Sequence, residues 1–202
     1  MNVHPVTSPN PVLSTAGADK RDRILDAALG AFAEFGFHGT PVPLIADRAK
    51  VGAGTIYRYF ESKEALVNAL YRRSKSAMLE RVSAGFPASG APRQQWGHVF
   101  RRAVDFAMEN PAAFDFLEMH HHAAYLDDES RAIEARAWTM ALDILAATRG
   151  LRLTRDEEPV LLISLVWGGA IRLVRCAREG LVELTPTVLE RFENLCWESI
   201  RA

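Results

Sequence analysis

Only two cysteines occur in the 202 residues, Cys176 and Cys196, and they fall on separate apolar helical patterns. That excludes a disulfide scaffold; the thiols read as inert core groups in a reducing compartment. No stretch alternates apolar and polar residues as a half-buried strand must, whereas helical spacing recurs throughout. The longest run without a charge or strong break is Val160–Ile171, twelve residues, short of the about 20 needed to cross a bilayer. The N-terminus, MNVHPVTSPNPVLSTAGADK, has three prolines and no basic segment leading into an apolar one. Residues 1–18 therefore read as a disordered arm, not a signal peptide. The chain is expected to be soluble and cytoplasmic, with no membrane partner. It also lacks a net charge: 24 basic residues face 25 acidic ones, for −1 at pH 7. Counted by halves, residues 1–85 hold 11 Lys/Arg and 8 Asp/Glu, and residues 86–202 hold 13 and 17. Only the first half is suited to meet phosphates. There is no phosphate-binding loop and no convincing nucleophile–base pair, so neither enzymatic chemistry nor a cofactor is expected.

What remains is an all-α chain of about nine helices without internal repeats. Residues 20–35 place Ile24, Ala28, Phe32 and Phe35 on one face, with Gly36 as the stop. Thr40 is a candidate N-cap for a second helix running to about Arg48, with Pro41 and Pro43 in its first turn. A third short helix covers roughly 53–59, and Ser62 caps a fourth. The only interior cluster of Gly, Pro and Ser, GFPASGAP at 85–92, marks a domain boundary. Beyond it, one helix ends at Asn110-Pro111, a short one follows, and another spans 128–148. Residues 157–179 are apolar nearly all round, and residues 185–200 carry a wide apolar stripe. A helix apolar on every face needs partners on every side. Pairing these two helices with their copies in a second chain gives a four-helix interface built from Leu162, Val166, Leu173, Leu189, Phe192 and Cys196.

Residues 40–60 have the spacing of a helix-turn-helix, whose second helix enters the DNA major groove. Ile45, Ala46, Ala49, Val51 and Ile56 supply the buried set, and the two alanines are small where the helices cross. Gly52 and Gly54 remove side chains where the backbone must come close to something, and free amides at a helix start favour an anion. With Ile56 and Phe60 directed inward, Ala53, Thr55, Tyr57, Arg58 and Tyr59 are left for the groove and its rims. Ser62-Lys63-Glu64 offers a second phosphate grip.

The pattern RILDAALGAFAEFGFHGT…IADRAKVGAGTIYRYFESKEALVNAL closely resembles the DNA-binding domain of the TetR/AcrR family of bacterial transcriptional regulators. The resemblance runs from residue 20 to about residue 70. It includes the Gly-aromatic after the first helix, the Thr before the second, Ile-Ala inside it, Gly-Thr-Ile-Tyr, and Phe-x-Ser-Lys-Glu-x-Leu. It implies a homodimer binding a palindromic double-stranded DNA operator, with a small-molecule pocket in the C-terminal helical domain. Residues 19–66 would be the DNA-binding domain, 67–84 a connecting helix, and 85–202 the effector and dimerisation domain. Carried over by position, Thr40 and Lys63 would touch the DNA backbone, while Gly54, Thr55, Tyr57, Arg58 and Tyr59 would serve recognition. The turn departs from the family's usual Ala-Gly-Val-Ser: here it is Ala49-Lys50-Val51-Gly52, without the hydroxyl that caps the third helix.

Large apolar side chains concentrate in the second half. Trp96, Phe100, Phe114, Leu117, Trp138 and Trp167, with His121, are the candidate lining of an apolar pocket for a hydrophobic or aromatic effector. Arg102, Arg136 and Arg172 are the candidate cations for an anionic one. Three consecutive histidines, His120–His122, point about 100° apart on a helix and lack the i, i+4 spacing of metal ligands, so no metal is expected. Two rivals follow: a ligand-independent architectural DNA binder of the same fold, with a filled C-terminal core, and a helical enzyme using His121 or His122 with Glu118.

Overall fold

Gly36 closes the first helix by adopting a backbone that other residues reach only at a cost. In the computed structural model, which describes residues 20–119 and 124–202, α1 spans Lys20–Gly39 and breaks at Gly36 (φ 68°, ψ 178°). The N-terminal arm expected over 1–18 lies outside the described residues. Phe35, expected on the buried face, is 45% exposed, and its ring is covered by the Arg48 guanidinium rather than by the core. α2 is Val42–Ala49 and α3 is Ala53–Tyr59. The N-cap of α2 is Pro41, not Thr40, and it offers no side-chain bond. Between α2 and α3, Lys50 takes the left-handed conformation (φ 54°, ψ 48°). α4, Lys63–Ser83, starts as expected: the Ser62 hydroxyl accepts the Ala65 N–H at 3.1 Å.

After the 85–92 turn come α5 (Pro92–Glu109), α6 (Pro111–Met119), α7 (Asp128–Gly150), α8 (Pro159–Arg178) and α9 (Pro186–Ile200). Among the described residues that makes nine helices, and the extended structure is limited to one bridge pairing Thr154 with Arg201. Asn110 ends α5 where the sequence places the break.

One apolar core joins the two halves. It holds Ile24, Phe32, Ile45, Ile56, Leu66 and Leu70 from the first four helices and reaches Phe106, Phe116 and Leu117 on α5 and α6. Phe32 meets Phe116 with ring centroids 6.1 Å apart. Arg73 on α4 binds Asp26 on α1 at 2.8 Å. The second half is clipped by Glu193 on α9, which is 1% exposed and lies between Arg93, at 2.5 Å, and Arg101, both on α5. A carboxylate this buried is stable only when paired. Gly97 makes room for it, since a Cβ there would sit 2.7 Å from Glu193 Oε1.

α8 corrects two expectations. The uncharged run has twelve residues, but the helix continues past Arg172 and reaches 20, with a mean hydropathy of 1.7 over its best window. By length and composition it is apolar enough to cross a membrane. The dimer residues expected from periodicity also face elsewhere. Leu162, Leu173, Leu189 and Cys196 are buried inside the chain, and Val166 and Phe192 pack against the same clusters, which α5 to α9 build. The apolar residues that α8 turns outward are Val160, Leu161 and Leu165, all more than half exposed, and α9 adds Leu195 at 68%. Helical periodicity gives relative angles on one helix; it does not say which side its own chain covers.

Candidate nucleic-acid interface and internal cavity

α3 is anchored by Ile56 and Phe60, which are 2% and 5% exposed. Everything else on it is turned outward: Ala53, Gly54, Tyr57, Arg58 and Tyr59 are exposed and Thr55 is half-buried. Among the described residues the side chains of Tyr57, Arg58 and Tyr59 have no hydrogen-bond or ion-pair partner. A Cβ added at Gly54 would have nothing within 4 Å. Neither conformation nor packing requires that glycine. The face therefore combines a free guanidinium, two free phenols and a bare stretch of backbone, the groups that bind phosphates and base edges. Lys50 lies exposed in the preceding turn.

Thr40 and Lys63 depart from the expected DNA contacts. Thr40 is fully buried, and its hydroxyl lies 2.7 Å from the Gly36 carbonyl and 3.1 Å from that of Ala31. Its single hydroxyl proton is directed at these carbonyls towards the end of α1, so the side chain is unavailable to a phosphate. The Lys63 ammonium donates to the Phe37 carbonyl and sits 4.3 Å from the centre of the Phe37 ring. Burial pulls its pKa below the ordinary lysine value, with Glu64 opposing. In this conformation Lys63 ties α4 to the end of α1.

That junction continues into the second half of the chain. Phe37 stacks on Tyr125 with centroids 4.5 Å apart. Asn68 on α4 donates to the Tyr125 carbonyl at 2.8 Å, and its Oδ1 accepts the Asp127 N–H at 2.8 Å. Arg72 reaches Asp127 at 2.7 Å. The starts of α4 and α7 are thus joined by direct polar bonds.

Behind this junction lies a cavity of about 330 Å³ between α4, α5, α7 and α8. Of the residues expected to line it, Trp96, Phe100, Trp138 and Trp167 do so. Phe114 and Leu117 instead pack in the core, Phe114 edge-on to Trp167. His121, like His120 and His122, lies outside the described residues. None of the three expected arginines reaches the cavity. Arg102 lines a different groove with Asp105 and Leu184, Arg136 lies on the outer face of α7, and Arg172 points out towards Glu179.

The polar lining was not anticipated. Lys75, with a side chain 9% exposed, pairs with Glu134 at 2.7 Å, and Tyr71 donates to the same carboxylate at 2.5 Å. Burial works against ionising Glu134, but Lys75 and these hydrogen bonds outweigh it and hold its pKa below the usual value. Glu118 also faces the cavity and accepts the Trp167 indole N–H at 2.8 Å. Burial pushes its pKa up, opposed by that bond and by Lys75. The sequence carries one signal for this group. Lys75 falls in step with Tyr71, Met78 and Val82 on the inward stripe of α4, where a lysine has no place unless something pairs it.

Two family profiles cover most of the chain. One described as "Bacterial regulatory proteins, tetR family" matches residues 24–70, and one described as "Tetracyclin repressor-like, C-terminal domain" matches residues 71–202. An uncharacterized HTH-type transcriptional regulator of Haemophilus influenzae is 25% identical over 92% of this chain and 98% of its own length. The HTH-type transcriptional regulator RutR of Escherichia coli is 36% identical over 57% of this chain, which spans about half of RutR (55%). The crystal structure of a TetR family transcription regulator from Marinobacter aquaeolei superposes with a TM-score of 0.78, at 25% identity, covering 90% of this chain and 95% of that one.

Proposed function

The chain belongs to the TetR family of bacterial transcriptional regulators, and we propose that it is a cytoplasmic repressor released from a palindromic operator by a small, mostly apolar effector. Regulators of this family are typically repressors and commonly act as dimers with small-molecule effectors. The observation that carries the reading is the outward face of α3. Its guanidinium and phenols are uncommitted, and its only large buried anchors are Ile56 and Phe60. In a dimer, two such helices must sit about 34 Å apart, or a multiple of that, to read successive half-sites. An effector that changes their separation forfeits one half-site.

Only 22% of the apolar window of α8 is buried within one chain, which supports covering of its Leu161 and Leu165 side by a second copy. Effector release is supported by the cavity and by the bonds joining α4 to the start of α7. The architectural alternative calls for a filled core, and a 330 Å³ cavity speaks against it. No covalent step is needed.

The test is a gel shift on the DNA upstream of the gene, with and without candidate metabolites. Arg58→Ala and Tyr57→Ala should each weaken the shift by about tenfold. An unchanged shift in both variants refutes the α3 interface. DNA affinity indifferent to every ligand that fills the cavity favours the architectural reading.

A further inference from the structure

The cavity wall has an uneven charge balance. Among the described residues it carries two carboxylates, Glu118 and Glu134, against one ammonium, Lys75. The ammonium is already paired, since Glu134 Oε2 lies 2.7 Å away and the same oxygen accepts from the Tyr71 hydroxyl. An anionic effector would have to pull Lys75 off Glu134 and leave a carboxylate uncompensated in an apolar wall, which is costly. Glu118 is placed differently. It accepts a hydrogen bond from the neutral Trp167 indole, which brings no charge, and feels Lys75 only across space. The same cavity is lined by Trp96, Phe100, Trp138, Met140 and Ile144, a lining that takes an aromatic or alkyl body.

Building on the effector reading above, we propose that the effector is a hydrophobic amine or related organic cation, its positive head bound at Glu118 and its apolar body held among the tryptophans. An ammonium at this point donates to Glu118 and restores charge balance without disturbing the Lys75–Glu134 pair. Trp167 keeps the carboxylate oriented, and the aromatic faces attract a cation in addition. A neutral ligand of the same shape gains the apolar contacts alone. A carboxylate of the same shape meets Glu118 as a like charge.

The experiment uses the full chain and three matched probes: 4-phenylbutylamine, 4-phenylbutanol and 4-phenylbutyrate. Trp96, Trp138 and Trp167 all line the cavity, so intrinsic fluorescence reports occupancy, and calorimetry checks it. The amine should bind about tenfold tighter than the alcohol, and the carboxylate weakest. Glu118→Gln should erase most of the amine's advantage, which the ratio of amine to alcohol affinity reads within one folded variant. If that variant fails to fold, the ranking of the three probes on the native chain still decides. Carboxylate binding equal to or tighter than amine binding overturns the proposal, as does an amine advantage unaltered in Glu118→Gln. Amine binding with the expected ranking but no effect on the gel shift keeps the cation site and overturns the regulatory reading instead. Failure of all three probes to bind overturns both.

Discussion

Gly54 has no internal reason to be glycine. It lies within α3, its φ is not positive, and a Cβ there has open space around it. Glycine in a helix costs up to about 1 kcal/mol relative to alanine. Gly54→Ala should therefore raise thermal stability while weakening operator binding about threefold to tenfold, the scale of one hydrogen bond lost to steric distance. A melting curve and a fluorescence-anisotropy titration read the two effects, and improved stability with unchanged DNA affinity would show that nothing approaches this backbone. Gly52 is a milder case. Its conformation (φ −71°, ψ 146°) suits serine, and a Cβ would come only to 3.9 Å of Thr55 Oγ1. The cap is lost at a few tenths of a kcal/mol, and Thr55 N–H still bonds the Gly52 carbonyl at 2.8 Å. Thr40 shows the reverse: a residue that reads as a surface cap is consumed inside the fold.

At the scale of the element, α4 connects the two halves. Its first turn carries Ser62 and Lys63, its next turns carry Asn68 and Arg72, and Lys75 follows on the cavity wall. The start of α7 is the partner side of that connection. Asp127 caps it by accepting the Ser130 N–H at 2.8 Å and also binds Arg72. Slight burial opposes ionisation, but the Ser130 amide and the Arg72 guanidinium prevail and bring its pKa down to about 2. A depressed carboxylate pKa stabilises the fold above the ordinary value of 3.8 and loses that contribution as pH falls towards 2. Asp127→Asn keeps a capping oxygen but loses the charge. Its deficit in urea midpoint against the native chain should be present at pH 7 and shrink between pH 4 and 2. Because the side chain is 46% exposed, the deficit should stay below about 1 kcal/mol. A deficit unchanged at pH 2.5 would mean that the charge plays no part.

At the scale of the whole molecule, the outward side of α8 is an apolar face left uncovered within one chain. Leu161 and Leu165 lie one turn apart, a Cβ at Gly168 would meet nothing within 4 Å, and Leu195 on α9 is also exposed. If a second copy covers this side, Leu165→Glu buries a charge there and should weaken dimerisation about a hundredfold or more. Sedimentation would then show a monomer with native helicity. A variant that remains dimeric moves the interface elsewhere. Much of the fold and of the exposed face of α3 is legible in the sequence. The stop at Gly36, the Ser62 cap, the break at Asn110-Pro111 and the inward Ile56 and Phe60 depend on neighbours within a few positions, and a sequence records those directly. Tertiary structure decided what depends on distant partners: that Thr40 turns inward, that Leu162, Leu173, Leu189 and Cys196 serve their own chain's core, and that the cavity's cation is Lys75. Those outcomes are set by which helix faces meet, and a charged residue on an inward stripe is tolerated only where another element, here α7 with Glu134, brings its counter-charge across the cavity.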